Sequence, residues 1–163
     1  MINRYVVAAF VAVVSSGAWA HESHSHGVAA QADYAKGPQT ALGRAADPAK
    51  AIRTIAVEMS DQMRFLPSQI TVKRGDIVRF VPVNHGKVMH EMVLGTSAEL
   101  YQHAEMMKKN AAMKHDAPNM AHVAPGTNGV IGWQFDNAGE FFYGCLIPGH
   151  FDSGMVGRIV VIE

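Results

Sequence analysis

The 163-residue sequence is poor in cysteine, in net charge and in long apolar runs. Its single cysteine excludes an internal disulfide. Its 14 Lys and Arg residues balance 14 Asp and Glu residues, so the composition shows no basic excess for nucleic-acid binding and no acidic tail. The longest apolar run, residues 5–14, is shorter than the ~20 residues that a membrane-spanning helix needs. These shortages leave one ordinary globular domain as the default expectation.

The apolar run belongs to a targeting segment. Arg4 supplies a positive flank, and residues 18–20 form an A-x-A cleavage site. We predict that residues 1–20 are a signal peptide, that the mature protein is periplasmic, and that it has no stable membrane insertion. An uncleaved N-terminal anchor is the alternative. In an oxidising compartment, a lone cysteine is a free thiol, an intermolecular link or a metal ligand.

The rest of the chain divides into a leader and a folded domain. Residues 21–50 are rich in Ala, Gly, Ser and His without apolar periodicity, which predicts a flexible, disordered leader that contains histidine. Residues 51–163 contain short alternating segments separated by turn residues. Such segments predict an all-β fold, an antiparallel sandwich or barrel rather than alternating βαβ units. The predicted strands are 52–59, 69–72, 76–83, 88–94, 129–135, 140–144 and 156–162.

One segment interrupts the strand pattern. Residues 98–109 consist of good helix formers, with Ser97 as a candidate N-cap. Apolar positions at i, i+4 and i+7 from Leu100 would give this helix one face to pack on the sheet. No regular period follows in residues 113–125, so we predict a short helical insertion followed by a long loop.

The residues that carry chemistry are in the last loop. Cys145, His150 and Met155 are spaced five residues apart, in a Pro/Gly loop between two predicted strands. A thiolate, imidazoles and a weak thioether suit copper that alternates between Cu(II) and Cu(I). His90, in an upstream strand, is the best candidate for the second imidazole. Zinc is the rival metal, but the thioether of Met155 fits copper much better.

These residues resemble a known family. The pattern C-x-x-P-G-H-x-x-x-x-M at residues 145–155, with His90-Glu91 upstream, is similar to the ligand signature of the cupredoxins, the blue-copper proteins that include plastocyanin and azurin. The resemblance covers roughly residues 52–163. It implies a Greek-key β-sandwich that holds one copper ion near one end. It also implies that the backbone N–H groups of Glu91 and Ile147 bond the cysteine sulfur, a contact that tunes the metal.

The sequence resembles small periplasmic cupredoxins associated with bacterial copper tolerance more closely than it resembles azurin or plastocyanin. The shared features are F-L-P-S at residues 65–68, His90-Glu91, the inserted Met/His segment and C-L-I-P-G-H at residues 145–150. Azurin and plastocyanin usually have Asn where this chain has Glu91. A negative side chain there would stabilise Cu(II) over Cu(I) unless it is neutralised.

Further His and Met residues are candidates for secondary copper sites. After signal cleavage, the α-amine and side chain of His21 could chelate copper with His24 and His26. The alternative is a solvated tail that only contains histidine. In the inserted segment, Met113 and Met120 could bind Cu(I), or they could pack in the core.

The function that this chemistry favours is periplasmic copper tolerance, by sequestration or relay of copper or by Cu(I) oxidation. The alternative is a dedicated one-electron carrier, with His150 as the exit for the electron. Copper ions are the expected partner, together with a periplasmic redox or copper-handling protein. An enzyme is not expected, because Gly144 precedes Cys145 where copper nitrite reductases have a bridging histidine. Asp61 is interpreted as a solvated charge.

Overall fold

A computed structural model describes Tyr34, residues 38–110 and residues 116–163. Within these residues, ten strands form two five-stranded sheets, and one α-helix follows the sixth strand. The strands are β1 Gly43–Ala45, β2 Arg53–Ser60, β3 Arg64–Leu66, β4 Gln69–Lys73, β5 Ile77–Asn84, β6 His90–Gly95, β7 Met120–Val123, β8 Ile131–Phe135, β9 Gly139–Gly144 and β10 Val156–Ile162, and the helices are α1 Ser97–Lys109 and a 3-10 turn at Pro48–Lys50.

The two sheets form a β-sandwich, and the predicted all-β Greek-key fold is confirmed. One sheet has the order β1-β8-β5-β2-β3, and the other has the order β4-β10-β9-β6-β7. Most strand pairs are antiparallel, as predicted, but β2 pairs in parallel with β5 and β4 pairs in parallel with β10. No helix in the described part of the chain is long and apolar enough to cross a membrane.

The core lies between the sheets. Along β2, buried and exposed side chains alternate, with Ile55, Val57 and Met59 pointing inward. Each such side chain contributes about 1.5–3 kcal/mol when it leaves water. Where β9 and β10 pair, the ring of Tyr143 covers Gly157 so closely that a Cβ at Gly157 would collide with it. The aromatic ring therefore requires glycine on the neighbouring strand.

The predicted helical insertion is confirmed as α1. The helix begins one residue earlier than expected, because Thr96 rather than Ser97 is the N-cap and forms a capping box with Glu99. Its buried face consists of the predicted positions, Leu100, Ala104 and Met107. Leu100 and Ala104 of this face form, with Val93, Met120 and Leu146, a second, smaller apolar cluster on the outer side of the second sheet.

Besides the short strand β3, two stretches contain strands that the sequence analysis does not predict. The predicted leader ends at residue 50, yet β1 within it pairs with β8, and Leu42 and Ala45 are buried. Ordered structure therefore begins before residue 51. The predicted loop at residues 113–125 contains β7, which pairs with β6. Both strands are too short for their apolar period to be recognised.

Candidate metal centre

Three of the predicted copper ligands lie together where β6 begins and β9 ends. The ligand atoms of His90, Cys145 and His150 lie within 4.8 Å of one another. The sulfur of Cys145 is 3.2 Å from Nδ1 of His150, and the centroids of the two imidazole rings are 5.0 Å apart. A thiolate beside two imidazoles is a donor set that suits copper.

The pairing of β6 with β9 brings His90 and Cys145 to the same end of the second sheet. The two strands are antiparallel, and Val93 pairs with Gly144, the last residue of β9. From this pair, β6 runs back toward His90 while the chain after β9 continues into Cys145. The strand register therefore sets the separation of the first two ligands.

His150 belongs to a tight loop that returns to the end of β9. Its N–H donates to the carbonyl of Ile147 at 2.9 Å, and its carbonyl accepts the N–H of Met155 at 3.1 Å. Gly149, just before it, has a φ of 87°, a left-handed conformation that glycine adopts readily. These features turn the imidazole back toward the thiol of Cys145.

Met155 is the predicted axial ligand, and a backbone hydrogen bond joins it to Cys145 across the ligand loop. The N–H of Cys145 donates to the carbonyl of Met155 at 3.1 Å, and both side chains are fully buried in the main core cluster. A buried thioether at this place is suited to the weak axial position of a copper site. Its role as a ligand stays a prediction.

A buried, unpaired nitrogen of His90 provides a test of whether a metal fits. The ring is fully buried, and within the described residues its Nδ1 has no hydrogen-bond partner. Leaving a buried polar atom unsatisfied costs about 1–3 kcal/mol. A metal ion at the centre of the three donors would satisfy this nitrogen. The residues present therefore fit a copper ion.

The electrostatic environment keeps the metal-free thiol protonated. Burial raises the pKa of Cys145 to about 12. The N–H groups of Glu91 and Ile147 donate to its sulfur and partly oppose this rise, whereas the negative side chain of Glu91 adds to it. These are the two backbone donors that the family resemblance predicts. Burial and the adjacent His90 lower the pKa of His150, so that its imidazole is neutral at pH 7 and able to bind a metal.

Copper binding is expected to release one proton from Cys145 at about pH 7.5. A thiol with a pKa of about 12 is protonated at this pH, whereas a metal-bound thiol is deprotonated. The apparent affinity should therefore rise about tenfold per pH unit from pH 7 upward. Calorimetric titration with Cu(I) in buffers of different ionisation enthalpy measures the release; a value near zero would contradict a buried, protonated thiol.

Glu91 is a buried carboxylate that connects the metal centre to β7. Its side chain is 1% exposed. Oε1 accepts the N–H of Leu146 at 2.8 Å, and Oε2 is 3.0 Å from Nδ1 of His122 in β7. Because Leu146 directly follows Cys145, this carboxylate fixes the start of the ligand loop. The inserted segment thus reaches the centre through His122, a contact that the sequence analysis does not predict.

Asp61 also lies at the centre, although the sequence analysis interprets it as a solvated charge. Oδ1 of Asp61 is 3.2 Å from Nε2 of His90, and Oδ2 accepts the N–H of Lys87 at 2.8 Å. The pKa of Asp61 is lowered chiefly by the hydrogen bond from Lys87. Asp61 is an exposed turn residue, as the sequence analysis predicts, with 40% of its side chain exposed, but the sequence analysis does not predict its contact with His90.

The predicted secondary copper ligands are placed differently. His21, His24, His26 and Met113 lie outside the described residues. Met120 lies in β7 rather than in a loop. Its buried side chain belongs to the apolar cluster that covers the outer side of the second sheet, with Val93, Leu100, Ala104 and Leu146. These contacts give Met120 the core-packing role that the sequence analysis left open.

Comparisons with known proteins agree with this geometry. The family model described as copper binding proteins, plastocyanin/azurin family, matches residues 53–162. The chain is 48% identical over 160 residues to the copper-resistant cuproprotein CopI of Rubrivivax gelatinosus, covering 98% of this chain and 97% of that protein. It is 37% identical over 164 residues to the cuproprotein of the same name from Pseudomonas aeruginosa, covering 83% and 89%. The solved structure of auracyanin B aligns with a TM-score of 0.62 at 21% identity, over 78% of this chain and 99% of that one, a likeness in fold.

Proposed function

Since the chain belongs to the plastocyanin/azurin family of copper-binding proteins, we propose that it contributes to bacterial copper tolerance as a periplasmic copper protein. We assign His90, Cys145, His150 and Met155 as the ligands of one copper ion. The observation that carries the proposal is the cluster of one thiol and two imidazoles, with the Nδ1 of His90 buried and unpaired among the described residues. Similarity to copper-resistant cuproproteins along nearly the whole chain favours tolerance over other copper-dependent roles.

Each ligand has a separate part in this function. Copper bound at the centre would supply a one-electron change between Cu(II) and Cu(I). The buried His90 and Cys145 hold the ion away from bulk water, whereas His150 is only partly buried and lies nearer the surface. This arrangement suits sequestration, relay to another protein, or oxidation of Cu(I), without turnover of an organic substrate. Export through residues 1–20 would place these reactions in the periplasm.

A dedicated one-electron carrier is the second candidate, and the surface beside the ligands favours it. Val88 and Met89, which directly precede His90, are 44% and 45% exposed. Pro148 and Gly149 beside His150 are also exposed. A small apolar surface of this kind suits brief docking of a redox partner. In that role, copper would stay bound through the cycle, and loss of the protein would not change copper sensitivity.

Complementation of a copper-sensitive bacterial strain tests the tolerance role. The strain lacks its own copper-tolerance cuproprotein and receives the wild-type chain, Cys145→Ser or Ile52→Ser. Ile52 is 73% exposed, so its replacement should leave the fold and the centre intact and serves as the matched control. We expect the wild type and Ile52→Ser to restore growth at elevated copper, and Cys145→Ser to fail at an equal periplasmic protein level.

Two results would contradict the proposal. Equal rescue by Cys145→Ser would show that tolerance does not depend on this centre. No rescue by the wild type, together with a defect in electron transfer that the wild type repairs, would favour the carrier instead.

A further inference from the structure

The turn between β2 and β3 reaches both segments that carry copper ligands. Asp61, in this turn, contacts the His90 ring at 3.2 Å. Arg64, which begins β3, donates from Nη1 to the carbonyl of Ser153 at 2.7 Å, and Ser153 lies in the ligand loop between His150 and Met155. One hairpin therefore contacts both ligand segments.

We propose that Asp61 is a positioning residue of the copper centre, whose carboxylate fixes the orientation of His90 and whose charge favours Cu(II) over Cu(I). The inference rests on the ligand set proposed above, and it concerns how the centre is tuned rather than what the protein does in the cell.

The orientation follows from hydrogen-bond chemistry. In a neutral imidazole, one ring nitrogen carries the proton and the other has a free lone pair. An ionised carboxylate can only accept, so the Nε2 atom that faces Asp61 must carry the proton of His90. The lone pair is then on Nδ1, the buried nitrogen that has no hydrogen-bond partner among the described residues and is therefore available to a metal. Carboxylate bonds to the outer nitrogen of a ligating histidine commonly fix its tautomer and orientation.

The negative charge of Asp61 is not neutralised by a Lys or Arg side chain of the described residues and can act on the metal. Among the ion pairs of the described residues, Asp61 pairs only with His90 and has no Lys or Arg partner. A negative charge that is not neutralised by a fixed cation stabilises the more highly charged ion, Cu(II), more than Cu(I). It acts through the ring of His90 and does not contact the copper itself.

Asp61 also supports the turn before His90, and this structural role must be separated from the electronic one. Its Oδ2 accepts the N–H of Lys87, and a Cβ at Gly86 would collide with its carboxylate. Asn84 supports the same turn independently, because its Nδ2 donates to the carbonyl of Val88 at 2.8 Å. Asparagine at position 61 has a single acceptor oxygen, which can keep the contacts that Oδ1 makes with Nε2 of His90 and with the N–H of Val88. It removes the charge and replaces the acceptor for the N–H of Lys87 by an amide group that only donates.

The test compares Asp61→Asn, Asp61→Ala and the matched control Asp76→Asn. Asp76 also accepts a backbone N–H in a turn, from Lys73 at 3.0 Å, but it precedes β5, at the opposite end of that strand from Asn84. Competition titrations give the affinities for Cu(II) and Cu(I) separately. We expect Asp61→Asn to lower the ratio of Cu(II) to Cu(I) affinity about tenfold, and Asp61→Ala to weaken Cu(II) binding about 10- to 100-fold. Asp76→Asn should match the wild type.

A second readout uses the metal-free protein. Nitrogen-15 NMR should show His90 protonated at Nε2 in the wild type and in Asp61→Asn, and a mixture of tautomers in Asp61→Ala. If both variants matched Asp76→Asn in affinity ratio and in tautomer, the inference would be overturned. Absence of a thiolate-to-copper band in the wild type would refute the proposed ligand set instead, and the NMR result on the metal-free protein would still decide the orientation.

Discussion

Replacement of Cys145 by serine is expected to abolish the thiolate-to-copper absorption band. The chain has one cysteine, so no other thiolate can replace it. A serine hydroxyl does not ionise near neutral pH and is a poor ligand for Cu(I). Copper affinity should therefore fall by more than the roughly 100-fold that loss of an outer hydrogen-bond partner costs.

The fold should survive this change, because serine is close to cysteine in size. A buried hydroxyl at position 145 can bond to the neighbouring Nδ1 of His150, which is 3.2 Å from the sulfur in the wild type. Circular dichroism checks the fold, and Met120→Leu is the control, since Met120 is a buried methionine outside the proposed centre. If the serine variant retained the absorption band and the copper affinity, the proposal that the Cys145 thiolate binds copper would be contradicted.

Replacement of Glu91 by alanine is expected to destabilise the metal-free protein and to disturb the ligand loop. The change leaves the N–H of Leu146 without its acceptor in a buried position. An orphaned buried donor costs about 1–3 kcal/mol of unfolding free energy. His122 would lose the same carboxylate, but its side chain is 34% exposed and water can replace much of that contact.

Glutamine at position 91 separates packing from charge. It can still accept the N–H of Leu146, so the loss of unfolding free energy should be smaller than for alanine. Removal of the negative charge should shift the copper centre toward Cu(I). Denaturant titration of the metal-free variants and redox titration of the copper-loaded ones measure the two effects. Equal stability of Glu91→Ala and the wild type would show that the carboxylate does not hold the loop.

The ligands of the candidate site could be predicted because most of them lie close together in the sequence. Cys145, His150 and Met155 follow one another in a single loop, and their donor chemistry is unusual enough to identify copper. His90 was identified because it lies in a predicted strand upstream of this loop, where sheet pairing could bring it beside Cys145. The structure brings these histidines and the cysteine together through the register of β6 and β9.

Residues that act through those ligands could not be found in this way. Asp61 and His90 meet because β2 and β5 pair in parallel, so that the turns after both strands lie at the same end of the sheet. Glu91 and His122 meet because β7 pairs with β6 at that register. No local sequence pattern near these residues predicts either contact, because both depend on the register of strands that pair only in the folded sheet.

The strands missed by the sequence analysis share a physical cause. β1, β3 and β7 have three or four residues each, too few for alternation to be distinguished from chance. β1 and β3 are also the edge strands of their sheet, and β7 is at the edge of the other. Longer strands such as β2 and β10 have enough buried positions to show the period, and both were predicted within a residue of their bounds.

The most direct test of the central claim is X-ray absorption spectroscopy of the copper-loaded protein, with the Cys145→Ser variant measured beside it. The account predicts one short copper–sulfur contact and two copper–imidazole contacts in the wild type, and loss of the short sulfur contact in the variant. Copper bound only by nitrogen and oxygen, or a sulfur contact that persists without Cys145, would contradict it.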